Sequence, residues 1–399
     1  MIMKSEGASF PGAGPDIGTA KAIRMAPKLA YRNLFHDRMS LTVTLVGILF
    51  SVVLVAIQCG LYLGSEQKIA TVLDRVNPDL WIVSIGTKSF DDPSLLTGSE
   101  KYALLSTPGV QRVEEMVVSF AAWRKPQGGK KAFVLIGLDW LNGGLEPWNL
   151  IEGSVAALAT PDAVAVDRSY FRDLGIDANG AHAEINGKRV QVAAVTQGIR
   201  SFTTLPYTFT TIDRARGLIG AGPWQSTYEL VTITPGSDLE AVRQRIAERL
   251  PDTEVLTHDE FRKRSVNYWL FNTGAGGALI AGACLGIIVG VVIVAQTLYA
   301  STKDHLNEFA TLRALGASAS YIHAVILIQA LLSAVLGYIL GISLAMLVIR
   351  ATRKTTLTIV MTPKLAAYLL ALTVGMCIFA AISAIFKVTR IDPAGVFSR

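Results

Sequence analysis

Residues 272–319 read NTGAGGALIAGACLGIIVGVVIVAQTLYASTKDHLNEFATLRALGASA. The first part, through Ala300, is a long apolar segment that is rich in glycine and has no charged residue. The second part, STKDHLNEFATLRALGAS, predicts a short charged amphipathic helix that ends at Gly316. A membrane helix that leads directly into a small cytoplasmic helix gives a soluble motor protein a place to bind and act.

Composition places the whole chain in the membrane class. Hydrophobic residues make up 51% of the sequence and charged residues only 17%, a balance outside the usual range of soluble domains. Spans of about 30 Å at about 1.5 Å per residue are predicted over residues 41–63, 273–300, 320–349 and 365–386. We therefore expect an α-helical membrane protein with four transmembrane helices and a large α+β periplasmic domain inserted between the first and the second.

Basic residues near the span ends predict the orientation. Cytoplasmic segments carry the excess of Lys and Arg, and here these residues precede the first span, lie between the second and third, and follow the fourth: Lys21, Arg24, Lys28, Arg32, Arg38, Lys303, Arg313, Lys387, Arg390 and Arg399. We expect a multi-pass protein of the bacterial inner membrane with both termini cytoplasmic, including a tail over residues 387–399.

The segments before the first span differ in character. Residues 1–27 form a Gly/Ala/Pro-rich leader that we expect to be disordered. Residues 28–40 place Tyr31, Leu34 and Phe35 on one helical face and Lys28 and Arg32 elsewhere, which predicts an amphipathic helix in the cytoplasmic headgroup layer.

A second basic cluster disagrees with the charge rule. Arg350, Arg353, Lys354 and Lys364 lie in or beside the loop 350–364, which this topology places outside. One interpretation is that these side chains snorkel at helix ends. The other is that they contact anionic lipid headgroups or an acidic substrate.

Residues 64–272 must fold outside the membrane, and we call them the ectodomain. Segments rich in β-branched and aromatic residues predict strands at 80–85, 113–119, 132–138, 163–166, 207–211 and 228–234. The sequence HAEINGKRVQVAAV predicts a hairpin turning at Asn186-Gly187. We expect two lobes with a boundary near Leu141–Leu158, and a helix capped by Ser237 and Glu240.

The sequence shows no clear catalytic or metal-binding motif. The printed sequence holds no G-x-x-x-x-G-K-[ST] loop for ATP, no histidine pair with metal-ligand spacing and no nucleophile-elbow glycine pattern. His258, beside Asp259 and Glu260, is better interpreted as a helix-surface residue than as an acid/base group. The three cysteines, Cys59, Cys284 and Cys377, all lie in the spans, so no disulfide or cysteine metal site is expected in the ectodomain.

Ionisable residues are missing from the spans, and glycines recur in them. Ion-coupled carriers use buried charges at membrane depth, so a transporter of this composition would take its energy from another chain.

Gly282, Gly286 and Gly290 recur every four residues, as do Gly337 and Gly341. Such spacing favours close helix packing, within the chain or in a dimer, although glycine is also common in membrane helices.

The segment from Tyr268 through the quoted run, together with the ending TRIDPAGVF, resembles permease subunits of the MacB/FtsX superfamily of ABC transporters, in particular the DevC-like permeases named for a glycolipid exporter. The resemblance covers the chain from about Lys28. It implies a homodimer bound to two copies of a separate ATPase that holds ATP and Mg, together with a periplasmic adaptor and an outer-membrane channel. Such permeases are considered mechanotransmitters rather than pores or enzymes; membrane lipids are further expected contacts, and a nucleic-acid partner is not expected.

The segment 301–319 is then predicted to be the coupling helix. Leu306, Phe309 and Leu312 would be apolar anchors in a groove of the ATPase, and Asp304, Glu308 and Arg313 would fix the docking register. In the resemblance, Glu308 matches the acidic position of the family's coupling helix and Gly316 its terminating glycine. The alternative is an ordinary capped cytoplasmic loop.

Several functions remain open from the sequence. An ATP-driven exporter in a tripartite assembly, with a glycolipid or another amphiphile as cargo, is the first hypothesis. The second is an FtsX-like regulator that activates a cell-wall hydrolase, and a lipoprotein-releasing permease is a close relative of the first. A membrane-anchored ectodomain enzyme has no catalytic signature to support it.

Overall fold

A computed structural model describes residues 26–203, 205–305, 308, 311, 319–352 and 358–389. The described residues form two compact units, of which one is Tyr62–Ala278 and the other comprises the described parts on either side of it. In chain order the elements are α1 (Ala26–His36), α2 (Arg38–Ile69), β1 (Leu80–Ser84), α3 (Glu100–Leu105), β2 (Val110–Arg124), β3 (Lys130–Leu138), β4 (Leu150–Glu152), β5 (Ala163–Asp167), α4 (Phe171–Leu174), β6 (His182–Ile185), β7 (Lys188–Thr196), β8 (Tyr207–Thr211), α5 (Ile212–Ile219), β9 (Tyr228–Ile233), α6 (Leu239–Arg249), β10 (Thr253–Thr257), α7 (His258–Asn267), α8 (Ala275–Asp304), α9 (Ala319–Thr352) and α10 (Pro363–Thr389).

Four of the described helices, α2, α8, α9 and α10, are long and apolar enough to cross a membrane. Each ends a few residues beyond the span predicted from sequence, because helix formation continues past the apolar window, whereas α8 begins at Ala275, two residues after its predicted start, because Gly274 has a positive φ. The extension is largest in α2, which runs without interruption from Arg38 to Ile69. Its 32 residues correspond to a length of about 48 Å, more than the hydrocarbon core requires.

The predicted single helix over residues 28–40 is wrong in its extent. Helix α1 ends at His36, and Asp37 begins the next helix by accepting a hydrogen bond at Oδ1 from the Ser40 N–H (3.1 Å). An aspartate that caps the first turn of a helix is a strong start signal. Residues 38–40 therefore belong to α2.

The ectodomain is built on a ten-stranded mixed sheet in the order β10-β1-β9-β2-β3-β8-β5-β7-β4, with β6 paired to β2 and β7. The pairings β3–β8 and β5–β7 are parallel, and the other strand pairs of this sheet are antiparallel. The six predicted strands are confirmed. So is the hairpin, because Asn186 (φ 47°) and Gly187 (φ 82°) form the turn between β6 and β7.

Three apolar clusters hold helices and loops against the sheet, and the third packs α3 and α6 on it through Leu104, Val242 and Ile246. One contains the mutually contacting rings of Trp81, Phe90, Tyr228 and Phe261. Another includes Trp123, Phe133 and side chains of β5, β7 and α5. The sheet continues past the boundary predicted near Leu141–Leu158, so a division of the ectodomain into two lobes stays a prediction.

Helix capping in the ectodomain also differs from the sequence prediction. Helix α6 is capped by Asp238, whose Oδ1 accepts from the Glu240 N–H (3.1 Å), and not by Ser237. The capping box lies instead at the start of α7. There the Thr257 hydroxyl accepts from the Glu260 N–H and the Glu260 carboxylate accepts from the Thr257 N–H.

Candidate functional site

The C-terminal end of α8 is where the predicted coupling segment begins. The helix closes with Thr302 and His305, whose side chains bond to the carbonyls of Leu298 (2.6 Å) and Ser301 (2.9 Å). Asp304 and Glu308 are both exposed. The other predicted coupling residues, Leu306, Phe309, Leu312, Arg313 and Gly316, lie outside the described residues.

Helix α1 packs beside the start of α9, the helix that follows the coupling segment. Ala30 is fully buried against Tyr321 and Val325, with Leu29, Ala324 and Ile328 around them. The face predicted to be apolar points elsewhere: Tyr31 and Phe35 are exposed, and their rings contact each other at 4.5 Å between centroids. Helix α1 therefore has two apolar faces, one packed on α9 and one available to a bilayer.

The glycines of α8 face α2 of the same chain. A methyl group added at Gly282 would lie 2.5 Å from Gln58 Nε2, and one added at Gly290 would lie 2.5 Å from Ser51 Oγ. At Gly286 the neighbours are Leu54 and Val55, each 3.2 Å away. Gly337 and Gly341 of α9 approach α2 in the same way, since added methyl groups would meet Ile48 (2.5 Å) and Val52 (2.7 Å). All five glycines thus allow α8 and α9 to pack closely on α2.

Ser51 is a residue of this bundle that the sequence did not single out. Its hydroxyl is buried and donates to the Gly286 carbonyl of α8 (2.8 Å), and it also lies 3.6 Å from Met376 Sδ of α10. One small polar side chain of α2 therefore joins two other helices. A serine among apolar residues carries no local signal of this role, because the role depends on which helices become neighbours.

The predicted basic cluster is described in part. Arg350, in the last turn of α9, and Lys364, in the first turn of α10, are both exposed. Arg353 and Lys354 lie outside the described residues. The connection between the two helices is held against α2, because the Val360 N–H donates to the Gly60 carbonyl (3.0 Å). Gly60 permits this approach, since an added methyl group would lie 2.6 Å from Ile359.

The two chain segments that join the ectodomain to its spans are packed together, and we call them the stem. The stem consists of the outer end of α2 (residues 62–69), α7 and the π-helical turn Tyr268–Asn272. Ile69, Val266 and Leu270 form its buried core. Arg262 of α7 pairs with Asp74 (2.6 Å) and with Glu66 of α2 (3.1 Å). The pKa of Arg262 is raised, chiefly by its hydrogen bond to Asp74.

The two halves of the stem connect to the membrane helices differently. On one side α2 is a continuous helix. On the other side the helix is interrupted at Thr273-Gly274, where Gly274 has φ +79°, before α8 starts at Ala275. π-Helical turns such as Tyr268–Asn272 are frequent at functional positions in helices. One connection is therefore a continuous helix, and the other is interrupted at a glycine with a positive φ.

Buried ionisable groups of the ectodomain are bonded to neighbouring side chains and are closed to a substrate. Glu115 pairs with Arg216 and Lys101, each at 2.6 Å. Its cross-strand neighbour Glu229 is 1% exposed and accepts from the Ser226 hydroxyl at 2.6 Å. Burial raises the pKa of Glu229 to about 8, an effect that nearby Glu115 reinforces. Among the described residues, no group of three or more His, Cys, Asp and Glu side chains could hold a metal ion.

Family models match most of the chain. The MacB-like periplasmic core domain matches residues 41–249, and the FtsX-like permease C-terminal domain matches residues 280–393. The chain belongs to the MacB/FtsX superfamily of ABC transporter permeases. In this family the segment between the first two spans is a periplasmic domain, so the predicted fold class is confirmed.

Similar proteins include an ABC transporter permease and an ATP-binding/permease protein. An uncharacterized ABC transporter permease of Mycobacterium tuberculosis is 24% identical over 373 residues, covering 90% of this chain and 95% of the relative. The macrolide export ATP-binding/permease protein MacB of Agrobacterium fabrum is 25% identical over 358 residues, covering 84% of this chain and 54% of the relative.

Solved structures that resemble the ectodomain are also known. The periplasmic region of MacB from Actinobacillus actinomycetemcomitans has a TM-score of 0.34 at 17% identity and covers 49% of this chain and 97% of that one. The extracellular domain of the transporter YknZ from Gram-positive bacteria has a TM-score of 0.34 at 13% identity and covers 45% of this chain and 99% of that one.

Proposed function

We propose that this permease is the membrane subunit of an ATP-driven exporter and works as a mechanotransmitter. The observation that carries the proposal is the construction of α2. The glycine faces of α8 and α9 pack on the membrane part of this one uninterrupted helix. In the stem, Glu66 of the same helix forms an ion pair with Arg262. A displacement of the bundle at the cytoplasmic end would therefore reach the ectodomain through a single rigid element.

The motor in this proposal is a separate P-loop ATPase, which binds ATP and Mg. The support is the relative named as an ABC transporter permease in Mycobacterium tuberculosis, which this chain matches over 95% of that relative's length. The exposed carboxylates of Asp304 and Glu308 would contact the motor. Coupling then requires only that the ATP-bound motor binds one permease conformation more tightly than another.

The proposed assembly contains two copies of the permease with both termini in the cytoplasm, a periplasmic adaptor and an outer-membrane channel. The packing of α8 leaves room for a second copy. Only 17% of its most apolar window is buried within the chain, against 39% for α2, and Leu285 and Ile288 are more than half exposed. Lipid or the second copy would cover this face.

The proposed cargo is a glycolipid or another amphiphile, as in the DevC-like permeases. Exposed Arg350 and Lys364 lie at helix ends that, by alternation of the spans, are on the ectodomain side. They would attract anionic headgroups there. Export of a released lipoprotein would use the same machinery with a different cargo.

An FtsX-like regulator is the second candidate, because the FtsX-like model matches residues 280–393, which contain most of α8 and all of α9 and α10. Mass spectrometry of proteins that co-purify with the tagged chain in mild detergent separates the candidates. A P-loop ATPase with an adaptor supports the exporter, and an ATPase with a cell-wall hydrolase supports the regulator. Absence of an ATPase from repeated preparations would count against both.

Charge reversal at Glu308 tests the coupling step. We expect Glu308→Lys to lower permease-stimulated ATP hydrolysis by about tenfold, because like charges facing each other in an interface cost several kcal/mol. Asp177→Lys is the matched control, since Asp177 is an exposed carboxylate of the ectodomain. Both variants should insert normally. Equal stimulation by Glu308→Lys and the control would remove Glu308 from the docking surface.

A further inference from the structure

A cleft lined by several polar side chains lies where the ectodomain chain leads into α8. Its volume is about 420 Å³. One wall is the turn that follows β1, residues 86–88, and the other is formed by Arg264, Asn267, Tyr268 and Asn272 of the stem. All of these residues belong to the ectodomain unit.

A fixed frame holds the two walls of the cleft in place. Glu254 accepts hydrogen bonds from the Gly86 N–H (2.9 Å) and from Arg264 Nη1 (2.5 Å). Arg264 Nη1 also donates to the Thr87 carbonyl (3.3 Å). Burial alone would raise the pKa of Glu254, but the bonds from Gly86 and Arg264 outweigh it and lower that pKa. Glu254 and Arg264 are therefore both charged, and they form an ion pair with each other.

Four polar groups around the cleft are left without partners. Lys88, Asn267 and Asn272 are exposed, and Tyr268 is half-buried. Within the described part of the chain, none of their side chains makes a hydrogen bond or an ion pair. Because Arg264 and Glu254 neutralise each other, the ammonium of Lys88 leaves a net charge of +1. An ammonium, two carboxamides and a phenol hydroxyl around a cleft suit a singly charged, oxygen-rich group such as a phosphodiester.

The surroundings of the cleft point to a lipid as the source of this group. Asn272 precedes α8 by three residues, so the chain allows at most about 11 Å between the cleft and the first residue of that span. This distance is comparable to the depth of the headgroup layer. Next to the polar wall, Ile85 is 60% exposed and Phe271 is 49% exposed. Apolar side chains beside a cationic cleft match the tail and the head of an amphiphile.

We propose that this cleft binds the anionic headgroup of a membrane lipid, with Lys88 at the charge and Asn267, Tyr268 and Asn272 at the oxygen atoms around it. Apolar contacts to Ile85 and Phe271 would hold the upper part of the acyl chains. The binding step stands independently of transport, whereas a role of the cleft in loading cargo rests on the proposed exporter function.

Native mass spectrometry of the full chain in detergent, titrated with phosphatidylglycerol or phosphatidylcholine, measures the binding step. We expect phosphatidylglycerol to bind more tightly than phosphatidylcholine. Lys88→Glu should weaken phosphatidylglycerol binding by about tenfold or more, and Asn272→Ala by less. The matched control is Lys263→Glu, because Lys263 is an exposed lysine that lies on helix α7 and does not line the cleft. Circular dichroism checks that each variant is folded.

Each outcome decides one part of the proposal. Equal losses in Lys88→Glu and Lys263→Glu would show general surface attraction and overturn the site, as would unchanged binding in Lys88→Glu. Inorganic phosphate that competes at millimolar concentration would assign the cleft to a soluble anion. Because the titration contains neither ATP nor an ATPase, its result does not depend on the exporter proposal. A cargo role is tested separately: Lys88→Glu should lower export while leaving ATPase co-purification intact, and undiminished export would refute that role.

Discussion

Replacing Gly290 by alanine would put a methyl group into the space where Ser51 and Met376 already meet α8. The new carbon would lie 2.5 Å from Ser51 Oγ and 2.7 Å from Met376 Sδ. Carbon atoms in favourable contact are about 3.5–4.0 Å apart, so the helices must move apart by about 1 Å. Ser51 cannot turn away freely, because its hydroxyl is bonded to the Gly286 carbonyl. Overpacking of this kind costs about 1–3 kcal/mol.

The thermal stability of the purified chain measures this cost. For a unit of this size, about 1 kcal/mol shifts Tm by about 2–4 °C, so Gly290→Ala should lower the midpoint by about 2–12 °C in size-exclusion thermal assays. Gly375→Ala is the control, because its added carbon meets nothing within 4 Å. Adding Ser51→Gly to Gly290→Ala should restore part of the loss. Equal midpoints for Gly290→Ala and Gly375→Ala would refute the packing of α8 on α2.

Three other changes probe the ectodomain. Arg262→Gln removes a half-exposed ion pair and should cost at most about 1 kcal/mol of stability while reducing ATP-driven movement of the ectodomain, measured by spin-label distances. Thr257→Ala removes the cap of α7 and should cost about 1 kcal/mol in denaturant unfolding. Burial raises the pKa of Glu229 from its ordinary value of 4.5 to about 8. Between these two pH values the folded protein therefore holds a proton that the unfolded chain releases. Stability should therefore fall as pH rises from about 4.5 to about 8, and Glu229→Gln should flatten this fall in thermal unfolding.

The sequence predicted those features whose signal is local. The spans follow from apolar composition, and the strands and the Asn186-Gly187 turn follow from side-chain type and positive-φ chemistry. Residue choice near helix ends was less decisive, since Ser237 and Asp238 are both good caps and the structure uses Asp238. Strand β10 was missed because Thr253–Thr257 is a short edge strand with little apolar content.

Contacts between distant segments could not be predicted. The glycine spacing of α8 was visible, but whether it faces another span or a second copy depends on which helix is adjacent. Arg262 and Glu66 form an ion pair in the stem although almost the whole ectodomain sequence lies between them, and no motif links the two residues. The lipid cleft likewise combines a turn after β1 with α7, two segments that the sheet order brings together through β10.

Gly274 offers the most direct test of the hinge at the second connection. Its φ of +79° is a left-handed conformation, which costs an L-residue about 1–2 kcal/mol. Nothing lies within 4 Å of an added methyl group at Gly274 or at Gly277, yet Gly277 lies inside helix α8 without a positive φ. Comparing Gly274→Ala with Gly277→Ala therefore isolates the backbone effect from steric contacts.

Alanine at position 274 should favour a helical backbone and join the π-helical turn to α8, which would stiffen the connection that the structure leaves interrupted. If the ectodomain moves by pivoting at this point while α2 stays rigid, Gly274→Ala should lower transport and ATP-driven spin-label displacement, with ATPase binding unchanged. Gly277→Ala should behave as the unmodified chain. Equal displacement in the two variants would mean that the stem moves as one piece with both spans, and the source of the motion would then lie within the membrane bundle itself.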